Sequence, residues 1–508
     1  MPDFLAVADQ FQLGMLDTER PHSLTSDLSR LANEDLPAAI ELLRQVDRDA
    51  LRTSSERAGL LVPLARAIAD TIETGNKIFL CGCGATGRLS ISLEIFAREG
   101  LLKGATEENV IGFMAGGDAA LIRSIERFED RPDYGERQLR DLGFSDGDLL
   151  ISSTEGGETP FVIGATEVAV SISKRLPFFL YCNPDEILIE NVERSRRVIE
   201  SPEIHKINLA VGPMALSGST RMQASTVLMA GIGFAMKHSQ NPDGLAESFE
   251  KWRGWAVETV DWSFVESFIK AEAETYQNGD FVLYEPGEFG LTVLTDTTER
   301  SPTFTLTPFE REGEKEKPSL SYLHLAGASD GSEAWLQLLN RIPRPLEWGE
   351  LSDVTNAAAM AKFDFSNAGA EKRKTRIGTR VQHAFQIREV VDGIEWKFRE
   401  ERHTISVPEG MGILEKNLLL KLLLNTHSTL IMGRLGRYED NLMSYVSATN
   451  FKLIDRAVRY VRILLERHHG IEIDYETVTK KLLEEKEKLG TDEPIVLKTV
   501  EALLEEKP

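Results

Sequence analysis

Three short stretches of this chain place glycine and hydroxyl residues in an order suited to holding an anion: "GCGATG" (82–87), "SSTEGGETP" (152–160) and "SGSTRM" (217–222). Each follows an apolar run, "KIFLC", "GDLLI" and "INLAVGP", that reads as a buried strand. A glycine-rich turn between a strand and a helix exposes backbone N–H groups at the positive end of the helix, and nearby Ser or Thr hydroxyls add donors. That chemistry suits a phosphate monoester. The candidate contacts are Gly84, Ala85, Thr86 and Gly87 in the first turn, Ser153, Thr154, Gly157 and Thr159 in the second, and Ser217, Ser219 and Thr220 in the third. Any one of these hydroxyls taken alone reads as a helix N-cap. Three such turns on one sheet edge shift the reading toward a site.

Two nucleotide readings fit less well. Gly82, Gly84 and Gly87 spell a dinucleotide fingerprint, but that fingerprint wants an acid at the end of the next strand to hold a ribose hydroxyl. Here that strand ends in "AGGD", and Asp118 comes late. A nucleoside triphosphate loop needs a lysine after the last glycine, and Arg88 stands there.

The turns need elements to carry them. Strand-like runs alternate with helix-like runs from about residue 75 to 240, which predicts a parallel sheet covered on both faces. A second alternation begins near Asp280, with "GDFVLYEPGEFG" and "LSYLHLAGASDGSE". Its turns are too acidic and irregular for phosphate, so it is expected to be structural. Residues before about 74 and after about 410 read as helical.

With 508 residues the chain is long enough for two or three domains. A net charge of −23 argues against nucleic acid, and no apolar run is long enough to span a bilayer. Three cysteines, Cys81, Cys83 and Cys182, form no disulfide framework and lack the partners of a zinc site, so no metal and no cofactor are expected. "MPDFLAVADQFQLGMLD" is not a secretory signal, so the expected compartment is the cytoplasm.

"CGCGATGRL", "AGGD…SIERFED", "CNPD", "VGPMALSGSTRM" and "LLLNTHSTLIMGRLGR…NLMSYVSATNFKLIDRA" together resemble the sugar isomerase (SIS) domain family, the group of the N-acetylmuramic acid 6-phosphate etherases and the glucokinase regulatory proteins. The resemblance implies an α/β protein of two SIS-type parallel-sheet α/β/α sandwiches with N-terminal helices and a C-terminal helical cap. The implied boundaries are 1–50, 51–260, 261–409 and 410–508, a pseudo-dimer within one monomeric chain. It implies a phosphorylated sugar as ligand and, on the regulatory side of the group, a regulated protein partner.

It also implies that Lys421 contacts the sugar phosphate. Lys421 is the only charge in "LLLKLLL" and shares a helical face with Asn425 and Ser428; the alternative is a solvated stripe. For the etherase reaction, a proton at C2 of the opened sugar must be taken by one glutamate while another assists lactate departure. The second matches Glu126. The first falls on Phe96, which reads as core, and Glu94 substitutes only if the helix register differs. Glu155 and Glu158 depart from the family's second loop. Either they contact sugar hydroxyls or that loop does not hold phosphate. The missing base favours a binding protein like the regulatory protein, with a phosphosugar isomerase or lyase as the alternative.

Overall fold

The architecture is that of a computed structural model, which describes residues 13–125, 128–446, 448, 451–490 and 493–506. The strand β1 (Ile78–Gly82) is buried at every residue and passes through the glycine turn into the helix Ala85–Phe96. Ile78 and Leu80 enter one apolar core, Phe79 and Cys81 the other. Alternating side chains of a strand covered on both faces must divide in this way. With β2 (Val110–Met114), β3 (Leu149–Ser153), β4 (Phe178–Tyr181) and β5 (His205–Asn208), the strand forms an all-parallel sheet in the order β2-β1-β3-β4-β5. The strand order reverses between β1 and β3, and in open α/β sheets a ligand crevice opens at that point outside the carboxyl ends. The first and second hydroxyl turns flank it.

The second sheet departs from the all-parallel expectation. Its strands are β6 (Phe281–Glu285), β7 (Ser321–Leu323), β8 (Gln382–Val390), β9 (Gly393–Phe398) and β10 (Glu401–Ser406), in the order β10-β9-β8-β6-β7. β6 pairs in parallel with both β7 and β8, while β8, β9 and β10 form an antiparallel meander. Two short connections impose that reversal. Val391 and Asp392 join β8 to β9, and Arg399, at φ 52°, helps turn β9 into β10. A two-residue loop leaves no room for the crossover that a parallel neighbour requires.

The helix Ile413–Arg434 is buried along nearly its whole length. It packs on Leu28–Glu34 and Leu36–Glu56 from the N-terminal end, on Gln223–Lys237 from the first half, and on Val265–Gln277 and Gly290–Phe304 from the second. One apolar core therefore runs from Leu28 to Leu503. The helices Phe451–His469, Tyr475–Lys488 and Ile495–Glu505 complete the chain. Among the described residues no helix is long and apolar enough to cross a membrane.

A buried arginine joins the two halves. Arg341 reaches both Asp118 oxygens at 2.5 and 2.9 Å and the Glu94 carboxylate at 3.2 Å.

Candidate functional site

Each loop is first held by its own backbone. Gly84 takes φ 56°, and a Cβ on Gly82 or Gly87 would lie within 2.5 Å of neighbouring atoms, so this turn admits only glycine at three points. The Thr86 hydroxyl accepts from the Cys83 N–H at 3.0 Å and donates to the Cys83 carbonyl at 2.9 Å. It closes the turn on itself. The helix Ala85–Phe96 thus begins at Gly84 with no side-chain cap, and Gly84 and Ala85 line a cavity of about 490 Å³.

In the second loop the hydroxyls are likewise engaged internally. Ser153 donates to the Cys81 carbonyl at 3.3 Å, and the Thr154 and Thr159 hydroxyls lie 2.9 Å apart. Gly157, at φ 72°, packs against Leu188 and Tyr181. The residues of this loop that face the cavity are Glu155, Gly156, Glu158 and Thr159. In the third loop Ser217 donates to the Glu19 carbonyl at 3.0 Å, while Gly218, Ser219, Thr220 and Arg221 line the same cavity. The Ser219 hydroxyl is buried with no partner.

The three loops therefore share one cavity, but the cavity contacts are not all the residues expected. Gly84, Ala85, Thr159, Ser219 and Thr220 line it; Thr86, Gly87, Ser153, Thr154, Gly157 and Ser217 lie behind and shape it. Lys421 lines a separate void of about 30 Å³ that shares Ala85, Arg221 and Glu299 with the main cavity. Glu94 is fully buried, with Arg341, Arg344 and Arg98 on its carboxylate. Glu126 lies outside the described residues; Arg123, Ser124 and Glu129 from the same segment line the cavity.

The far wall comes from distant parts of the chain. Glu19 precedes the first helix, Glu299 and Thr303 belong to the helix Gly290–Phe304, and Lys452 and Arg456 to Phe451–His469. The last two escaped the sequence reading, although both stand in the motif "NFKLIDRA" at i and i+4, the spacing that puts two side chains on one helical face.

The cavity is electrostatically mixed. Arg456 meets the two Glu19 oxygens at 2.6 and 3.0 Å, and Arg459 adds a contact at 3.1 Å. Burial opposes the charge on Glu19, but these cations with Lys452 outweigh it and hold the carboxyl at about 2. Burial likewise opposes the charge on Glu158, and Lys452, at 2.8 Å, with Arg194 brings it down to about 2. Glu155 behaves in the opposite way: burial, with Glu299 and Glu129 adding to it, pushes its carboxyl up to about 8. Burial also pushes the Cys83 thiol up, assisted by Glu129 and Glu155, so it is no thiolate nucleophile. Among the described residues, Glu439, Asp440 and His468 lie close enough together to share a cation, but Arg467 and His468 already pair with Asp440.

Residues 61–170 match the family model of the glucokinase regulatory protein N-terminal SIS domain. Those residues are thus similar to an SIS domain. Over 214 residues the chain is 33% identical to the N-acetylmuramic acid 6-phosphate etherase of Thermosynechococcus vestitus, covering 42% of this chain and 64% of that one. Over 215 residues it is 32% identical to the etherase of Rhodopirellula baltica, with 42% and 66% covered. The chain thus spans just under two thirds of the length of these relatives. Among solved structures, the C-terminal domain of glucosamine-fructose-6-phosphate aminotransferase from Francisella tularensis aligns with a TM-score of 0.38 at 9% identity, over 76% of this chain and 96% of that one.

Proposed function

We propose that the chain binds a phosphorylated sugar, a hexose or amino-sugar phosphate, in the cavity at the carboxyl edge of the first sheet, and that it works as a sugar-phosphate-binding protein. One observation carries this reading: three strand-end loops converge on a single cavity of about 490 Å³. The uncapped start of the helix Ala85–Phe96 and the Ser219 and Thr220 hydroxyls offer the phosphate its donors. Lys452 and Arg456, each paired with a wall carboxylate, offset part of the negative field that a dianion meets in a protein of net charge −23. The relatives named N-acetylmuramic acid 6-phosphate etherase act, by that name, on a phosphorylated amino sugar, which supports the ligand class.

The binding role is favoured over an etherase reaction by Glu94 and Phe96. Glu94, the substitute for the base that takes the C2 proton, is held by three guanidinium groups away from the cavity wall. Phe96 is buried in the core. Neither is placed to abstract a proton from a ligand in the cavity.

Thermal melts with hexose 6-phosphates, hexose 1-phosphates and amino-sugar phosphates test the reading. At least one should raise the melting temperature as its concentration passes the dissociation constant. No shift with any of them would refute it. Incubation of each hit in heavy water separates the two roles: deuterium appearing at C2 would make the protein an enzyme.

A further inference from the structure

We infer that Glu155 recognises the sugar part of the ligand, its carboxyl group hydrogen bonding a sugar hydroxyl while the phosphate is held elsewhere in the cavity. This inference rests on the ligand reading above. Glu155 is the second residue beyond β3, at the carboxyl edge of the sheet, and it is only 7% exposed within the cavity wall. Its main chain is fixed, because the Cys182 N–H donates to the Glu155 carbonyl at 3.0 Å and the Thr154 N–H to the Leu180 carbonyl at 3.0 Å. Yet its Oε1 is buried with no hydrogen-bond partner.

That sets Glu155 apart from the other acids of the wall. Glu19 has Arg456 and Arg459, Glu158 has Lys452 and Arg194, Glu299 has Arg88, and Glu129 lies 3.7 Å from Lys452. Among the described residues, no cation lies within ion-pair distance of Glu155. A buried carboxylate without a cation is costly, and such a group stays neutral instead. The groups that face it work in that direction. Burial acts first; Glu299 from the helix Gly290–Phe304 and Glu129 add to it, while the residue's own backbone N–H and Lys452 oppose them only in part. The Cys83 thiol from the glycine turn and the Cys182 thiol after β4 also stand near Glu155, and both are held protonated chiefly by burial. A neutral acid is a hydrogen-bond donor, does not repel a phosphate, and gains from a hydroxyl the partner that Oε1 lacks.

The test is calorimetric titration of wild type, Glu155→Gln and Glu155→Ala with glucose 6-phosphate, fructose 6-phosphate and inorganic phosphate, repeated from mildly acidic to mildly alkaline pH. Glu155→Ala should weaken a hexose phosphate by about fivefold to tenfold at neutral pH, the worth of one hydrogen bond, and leave inorganic phosphate nearly unchanged. Glu155→Gln keeps a donor of the same shape. It should retain hexose-phosphate affinity at neutral pH and lose the decline that wild type shows as the pH rises through about 8. Equal weakening of both ligands by Glu155→Ala, or none, overturns the inference while wild-type binding leaves the ligand reading intact. Wild type that binds none of these, nor any hexose 1-phosphate or amino-sugar phosphate of the melt series, overturns both. On the unliganded protein, infrared difference spectra of wild type against Glu155→Gln should show a protonated carboxyl at neutral pH, and a carboxylate there would also overturn it.

Discussion

Lys421 donates a hydrogen bond to the main-chain carbonyl of Arg221 at 2.7 Å, across 200 residues of sequence. Asn425 donates to the same carbonyl at 3.2 Å, Ser428 and Thr429 meet the Arg221 guanidinium, and Lys421 also reaches the Thr226 hydroxyl at 2.9 Å. The face shared by Lys421, Asn425 and Ser428 is therefore spent on holding the end of the third hydroxyl loop. Lys421 thus positions that loop.

Replacing Lys421 with methionine keeps the chain length but removes the donor. Lys421→Met should cost about 1–3 kcal/mol of stability through the weakened carbonyl contact. It should also reduce the ligand-induced rise in melting temperature, because Ser219 and Thr220 lie just before Arg221. Denaturant titration and thermal melts check the two effects separately.

Gly218 sits at φ 70°, and a Cβ there would lie 2.7 Å from the Arg456 Nε and 2.8 Å from the Tyr460 hydroxyl. Gly218→Ala combines an unfavourable backbone with a collision against two buried side chains. A loss of about 2 kcal/mol or more is expected, together with loss of the ligand-induced thermal shift. Unchanged melts would mean that the loop has another accessible conformation.

Glu19 closes the cavity from the N-terminal side through Arg456 and Arg459. Its carboxyl is held at about 2, below its ordinary value of 4.5. A depressed carboxyl stabilises the fold fully above that ordinary value and ceases to do so as the pH falls through about 2. The difference corresponds to a contribution on the order of 3 kcal/mol at neutral pH. Glu19→Gln leaves Arg456 buried without its counter-charge and should cost about 3–5 kcal/mol. The variant should also show a shallower loss of stability between pH 4.5 and 2 than wild type, measured by denaturant titration across that window.

Arg341 ties the second half of the chain to the first by spanning Asp118 and Glu94, all three being buried. Arg341→Ala should cost about 3–5 kcal/mol, since it strands Asp118 without its guanidinium. Arg341→Lys should recover only part, because a point-like ammonium cannot reach both Asp118 oxygens and Glu94 as a planar guanidinium does. Urea titration of the three proteins decides this.

Much of the first half was legible from local pattern. The apolar runs at Ile78, Val110 and Leu149 became strands, and glycine at 82, 84 and 87 marked the tight turn, because strand burial and glycine torsions are local demands that the sequence must meet on the spot. The same logic put three hydroxyl loops on one edge of the first sheet. The second sheet was less legible. Gln382 to Ser406 shows no alternation of strand, glycine turn and helix, and only the short connections after Val390 and Phe398 make that part antiparallel.

What the sequence by itself determined was the parallel first sheet, its glycine turn and the loops at its carboxyl edge, since each depends on neighbours within a few residues. Tertiary structure alone decided which side chains face the cavity. It sent the Thr86 and Ser217 hydroxyls back to the main chain, and joined Glu19 to Arg456 across 437 residues. It also raises the carboxyl of Glu155, first by burying it and then through Glu299 and Glu129, which only the folded chain brings near it.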